Sequence, residues 1–167
     1  MPAQDPAIDP ITEATRLWEE HGWGDAAPGM AAVTSLMRAQ QLVLARVESV
    51  LRPLGVSFAR YEVLMLLLFS RRGTLPMSTI SARLQVHQTS VTNAVDRLEQ
   101  AALVRRLPHP SDRRTTLIEI TAQGRALAQE ATGLLNGEVF TSPGLSRRDT
   151  TSLVGILQRL RRAAGDF

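Results

Sequence analysis

Residues Thr89–Thr121 read TSVTNAVDRLEQAALVRRLPHPSDRRTTLIEIT, and this stretch decides the fold. Val91, Val95 and Leu98 recur at helical spacing within a segment from about Gln88 to Ala101, so one face of a short helix is buried. Gln88, Thr89, Ser90, Thr92 and Asn93 crowd the start of that helix with short hydrogen-bonding groups. Two strands follow, Leu103–Leu107 and Thr115–Ile120. In the second, Thr116, Ile118 and Ile120 share one face while Leu117 and Glu119 share the other. Pro108 and Pro110 cannot donate to a ladder, which confines residues 108–114 to the loop. The loop tip is Ser111-Asp112-Arg113-Arg114.

Upstream, Met77–Leu84 forms a short helix with Ile80 and Leu84 pointing inward, and Gln85-Val86-His87 is a turn. Two short helices joined by such a turn make a helix-turn-helix candidate. Ser57 caps a preceding helix that runs to about Arg71 and is apolar enough to be a central core helix. Residues 72–76 connect it to the next. Before it lies a long amphipathic helix from Met30 to Arg52, ended by Pro53 and Gly55. Ile11–His21 is a further helix, broken off by Gly22, Gly24, Pro28 and Gly29, and residues 1–10 are a loose arm. After the strands, Thr121 caps a helix to about Asn136, and residues 137–144 are a linker. Ser146 and Asp149 form a capping box, and the last helix runs to about Ala164 with Leu153, Ile156, Leu157 and Leu160 on one stripe. The fold class is mainly α with a small β-hairpin wing: a winged helix-turn-helix (56–120) between N-terminal arm and dimerisation helices (1–55) and C-terminal dimerisation helices (121–167), forming one intertwined domain.

With 167 residues and 44% apolar content, the chain is long enough for a sizeable core. Cysteine is absent, which excludes disulfides, thiol redox sensing and cysteine-bound zinc. His21, His87 and His109 show no ligand spacing, so no metal and no cofactor is expected, a site built from carboxylates being the remaining alternative. The net charge is only +3, and every one of the 19 basic residues is arginine. Arginine's flat fork suits phosphates and guanine edges, although a GC-rich genome produces the same bias. The longest apolar run, Val63–Phe69, is too short to span a bilayer. With no signal peptide visible, a soluble, cytoplasmic protein without a membrane partner is expected.

The polar start of the Gln88 helix can reach base edges or phosphates, and a helix N-terminus itself favours phosphate. One of Gln88, Thr89 or Ser90 is expected to be spent as the helix cap. An arginine-tipped hairpin suits the minor groove, where the negative potential is strongest. Asp112 is placed to hold one guanidinium of Arg113 or Arg114 in a fixed orientation. Alone, such a tip is a solvated turn; directly after a helix-turn-helix it points to DNA. No nucleophile elbow, phosphate-cradling glycine loop or metal triad is present, and Glu19-Glu20 reads as a solvated helix face, so an enzyme is not expected.

From about Met30 to Gly165 the chain resembles the MarR-type winged-helix regulators. The resemblance is carried by Ile80-Ser-Ala-Arg-Leu84, Thr89–Glu99, Leu103-Val-Arg105, Ser111-Asp-Arg-Arg114 and Leu117–Gly124. It implies a homodimer on a pseudo-palindromic operator in double-stranded DNA, with Gln88–Asn93 in the major groove and Arg114 or Arg113 in the minor groove. It also implies a repressor released by a small anionic or aromatic ligand. Two positions depart from the pattern. Ala102 stands where the family usually has glycine; a left-handed cap there would cost about 1 kcal/mol, so a different helix end is expected. His109 stands where an aspartate is usual, leaving one fewer acid at the tip. The extra N-terminal helix with Trp18 resembles the PecS and UrtR branch, in which such a helix packs on the dimer and helps line a pocket for urate and other small anions. That resemblance implies Trp18, with Arg38, Tyr61 and Glu62 near it, as ligand-binding residues; Trp18 reads equally well as a hydrophobic anchor. The competing functions are a constitutive DNA-binding regulator without a ligand, a dimeric interaction module that has lost DNA binding, and an unrecognised enzyme.

Overall fold

A computed structural model describes residues 8–112 and 114–167; Arg113 lies outside the described residues. The chain divides into two compact units, residues 1–46 and 47–167.

In the first unit, α1 spans Pro10–Glu20. Asp9 caps it by accepting from the backbone N–H groups of Ile11 and Thr12, and Pro10 takes a first-turn position that needs no donor. Trp18 and Trp23 meet edge to face with centroids 5.1 Å apart. The next helix, α2 (Ala27–Leu51), starts earlier than its apolar pattern suggests. Pro28 and Gly29 belong to its first turn rather than to the break, because a missing N–H costs nothing there. Val33, Leu36, Met37 and Val43 of α2 are exposed.

The second unit is built on α3 (Phe58–Phe69), whose Tyr61, Val63, Leu64 and Leu67 are buried. Ser57 caps it through the Arg60 N–H, and the Glu48 carboxylate accepts the Phe58 N–H at 2.8 Å. The helix stops at Phe69, short of Arg71, because Ser70 turns to an extended conformation. Thr74–Pro76 is not a bare connection but a short strand, β1. With β2 (Val104–Pro108) and β3 (Thr116–Ile120) it makes a three-stranded antiparallel sheet in the order β1-β3-β2. Thr74 pairs with Glu119, and Val104 with Ile120. Pro108 lies in the ladder, opposite Thr116, rather than in the loop; the end of an edge strand tolerates a residue that only accepts.

The helix-turn-helix is α4 (Met77–Leu84) and α5 (Gln88–Gln100). Ile80, Val91, Val95 and Leu98 are fully buried against Leu64, Leu67 and Ile118. At about 1.5–3 kcal/mol for each such side chain, this core fixes the angle at which α5 is presented. Ala102 does adopt the left-handed conformation, φ 58°, so α5 does not end differently. Its end is a Schellman motif: Leu103 N–H donates to the Leu98 carbonyl at 2.9 Å and Ala102 N–H to Glu99 at 2.9 Å. Burial of Leu98 and Leu103 offsets the strain.

Thr121 caps α6 (Ala122–Leu135) through the Gly124 N–H. A Cβ on Gly124 would lie 2.1 Å from the Leu103 carbonyl oxygen, so glycine allows α6 to start against the base of the wing. Residues Asn136–Phe140 continue as a π-helical turn where the glycine-rich composition suggests linker. Ser146 caps α7 (Arg147–Ala163) by accepting the Asp149 N–H, and its hydroxyl donates to the Asp149 carboxylate at 2.6 Å. Leu153, Val154, Ile156 and Leu160 of α7 are exposed. Among the described residues, no helix is long and apolar enough to cross a membrane.

Candidate nucleic-acid interface

The first turns of α5 stand clear of the core, with Gln88, Thr89, Ser90 and Asn93 exposed. None of Gln88, Thr89 or Ser90 is spent as the cap. His87 is the cap, and its Nδ1 accepts the Thr89 N–H at 3.3 Å. The Thr92 hydroxyl donates back to the Gln88 carbonyl of its own helix at 3.0 Å. Gln88, Ser90 and Asn93 thus keep their side-chain polar groups toward solvent.

The wing turn is held by side chains acting on its own backbone. His109 Nδ1 accepts the N–H groups of Ser111 and Asp112 at 3.3 and 3.2 Å. Asp112 accepts the Thr115 hydroxyl at 2.6 Å and the Arg114 N–H at 2.9 Å. These bonds, the Thr115 hydroxyl foremost, hold the Asp112 carboxyl below the usual carboxylate range. Among the described residues Asp112 therefore orders backbone and hydroxyl rather than a guanidinium, and leaves Arg114 exposed. The expected role of Arg113 falls on a residue outside the described set. Between wing, α4 and α5, the residues Ser78, Gln88, Thr92, Arg106, Arg114 and Thr116 line a polar crevice of about 410 Å³.

Arg106 is a contributor that the reading of the sequence misses. Its guanidinium bridges Asp96 and Glu99 of α5, and its backbone N–H donates to Glu99 at 3.0 Å. Burial works against its charge, but the two carboxylates outweigh that and raise its pKa. The signal was present: two acids three residues apart on one helix, followed directly by a basic strand. Gln85, in a left-handed conformation at the turn, is held from the other side. Its amide donates to the Asp166 carbonyl at 2.6 Å, and Arg161 donates to its oxygen at 3.1 Å.

Of the four expected ligand residues, two belong to each unit. Trp18 packs on Trp23, and Arg38 reaches Gln41 at 3.5 Å, both within residues 8–46. In the second unit, Tyr61 and Glu62 line one groove of about 390 Å³ with Phe58, Met65, Phe69 and Phe140. The Tyr61 hydroxyl bonds to Thr132 at 3.0 Å, and burial pushes the Glu62 carboxyl above its usual range. No group of three potential metal ligands occurs among the described residues.

The sequence model of the MarR family matches residues 58–116. A MarR-family transcriptional regulator from Streptomyces coelicolor superposes with a TM-score of 0.76 and 48% identity, over 84% of this chain and 97% of that one. A second S. coelicolor MarR-family regulator, solved in complex with DNA, superposes with a TM-score of 0.69 and 25% identity, over 79% and 85% of the two chains. The HTH-type transcriptional regulator PecS of Dickeya dadantii is 29% identical over 91% of this chain and 93% of its own length.

Proposed function

Since the chain belongs to the MarR family, whose members are transcriptional regulators rather than enzymes, we propose that it is a dimeric, sequence-specific DNA-binding repressor that a small ligand releases from its operator. The observation that carries this reading is the pairing of a solvent-facing α5 start with a wing whose tip is ordered by its own side chains. Gln88, Ser90 and Asn93 face the bases of the major groove, with Thr89 and Thr92 beside them. Arg114, with Arg113, enters the minor groove while Asp112 holds the turn.

The exposed apolar stripes of α2 and α7 support a homodimer, since burying them in a two-fold partner removes them from water. The three-part division of the chain follows from that assembly, with the winged region at 56–120 carried by helices on either side. The operator is then pseudo-palindromic, and the protein acts on it in the cytoplasm. The groove beside Tyr61 and Glu62 supports a ligand-responsive rather than a constitutive regulator, because it lies between α3, which is central to the core, and the last turn of α4. Trp18 and Arg38 are proposed as further ligand-binding residues.

Fluorescence anisotropy with the protein's own upstream DNA tests the reading. Arg114→Ala is expected to weaken binding by about 1–3 kcal/mol. The wild-type affinity is expected to fall steeply with salt. Asn93→Ala is expected to change sequence preference instead. Binding by Arg114→Ala that equals wild type would overturn the wing assignment.

A further inference from the structure

The apolar groove of α3 and a cavity lined by arginines meet at Phe69. Phe69 ends α3 with 77% of its surface exposed. On one side it lines the groove with Phe58, Met65 and Phe140. On the other it lines a second cavity of about 400 Å³ with Arg71, Arg72 and Arg83. None of these three arginines has an ion pair among the described residues. The cavity therefore gathers three guanidiniums, and their positive charge, beside an exposed phenyl ring. The groove itself has the opposite character: among the described residues its titratable lining groups are Tyr61 and Glu62, and no arginine lines it. A carboxylate placed in it would meet the Glu62 acid rather than a cation, so the anionic end of a ligand belongs across Phe69.

Resting on the ligand-responsive reading above, we propose that the effector is an amphiphile with an apolar acyl or aryl body in the α3 groove and a multiply charged phosphate head on Arg71, Arg72 and Arg83. Guanidinium forks match phosphate geometry, and the phenyl ring of Phe69 covers the junction of the two parts. Such a ligand ties the end of α3 to the last turn of α4. That turn leads directly into Gln85, the left-handed residue on which α5 hinges.

Calorimetric titration of the full-length protein decides the matter without DNA. The ligands are octyl phosphate, 1-octanol and inorganic phosphate. Octyl phosphate is expected to bind at least about tenfold more tightly than either half alone. The Arg71→Ala/Arg72→Ala/Arg83→Ala variant is expected to lose about tenfold in octyl phosphate affinity and to keep its octanol affinity. Met65→Trp, which fills the groove, is expected to lose octanol and keep inorganic phosphate. The proposal is overturned if octyl phosphate binds no better than its halves, or if the arginine variant binds it unchanged. Octanoyl-CoA and a lysophosphatidate, compared in the same titration, separate a soluble thioester from a lipid as the source of the head. Failure here with operator binding intact removes only this ligand class; absence of operator binding by the wild type removes the DNA reading.

Discussion

Arg106 Nη2 lies 2.5 Å from Asp96 Oδ1, joining the first wing strand to the recognition helix. Together with the Arg106 N–H bond to Glu99, it ties the wing to the helix. The pair is partly solvated, so its contribution to stability is about 1 kcal/mol or less. Its larger effect is on geometry. Arg106→Met is expected to lower operator affinity several-fold while shifting the urea midpoint only slightly. A variant that binds the operator as wild type does would show that wing and helix are aligned by the core alone.

Ala102 is the strained cap of α5, with φ 58°. Ala102→Gly relieves that strain without removing a contact. The gain is expected to be about 1 kcal/mol, reduced somewhat by glycine's greater freedom in the unfolded chain. Equilibrium urea unfolding measures it. An unchanged or lower midpoint would contradict the account of how this helix ends.

These two positions show what the sequence made legible. The buried stripe of α5, the helix-turn-helix spacing and the strand alternation came through because hydrophobic period is set by which residues face the core. The caps at Ser57, Thr121 and Ser146 came through because short hydroxyls have few other uses at a helix start. What was not legible depends on partners distant in sequence. β1 is a strand only because β3 offers an edge, and Thr74–Pro76 has no pattern of its own. His87 and His109 act as backbone acceptors only in the turns that present the N–H groups. Arg106 required knowing that the wing folds back onto α5. At Ala102 the sequence shows only the cost of a left-handed residue, whereas the packing of Leu98 and Leu103 outweighs it.

Glu62 carries a pH-dependent penalty. Its carboxyl is raised by burial, so in the folded state it holds its proton to higher pH than in the unfolded chain. Stability is therefore unaffected well below the ordinary carboxylate range and falls as pH rises through that range and the raised folded value. Glu62→Gln is expected to raise the melting temperature at neutral pH and to lose that advantage below about pH 4. An equal gain at both extremes would mean that packing, not ionisation, is responsible.

The C-terminal residues latch onto the turn of the helix-turn-helix. Arg161 holds Gln85 at 3.1 Å and Asp166 at 2.5 Å, while Phe167 lies under Arg161 with its centroid 5.0 Å from the guanidinium carbon. Arg161→Ala is expected to leave the dimer and half-site affinity unchanged and to broaden the range of half-site spacings accepted. Competition binding over operators with lengthened or shortened spacers tests this. Unaltered spacing preference would make the latch incidental.

The central claim is that two copies of this chain present two copies of α5 and its wing to one stretch of DNA. Hydroxyl-radical footprinting of the purified protein on its own upstream DNA addresses it most directly. Two protected half-sites are expected, with centres about one helical turn, roughly 34 Å, apart. Flanking minor-groove protection is expected to disappear in Arg114→Ala while protection of the half-sites persists at higher protein concentration. A single protected half-site, or uniform protection without a preferred sequence, would contradict it.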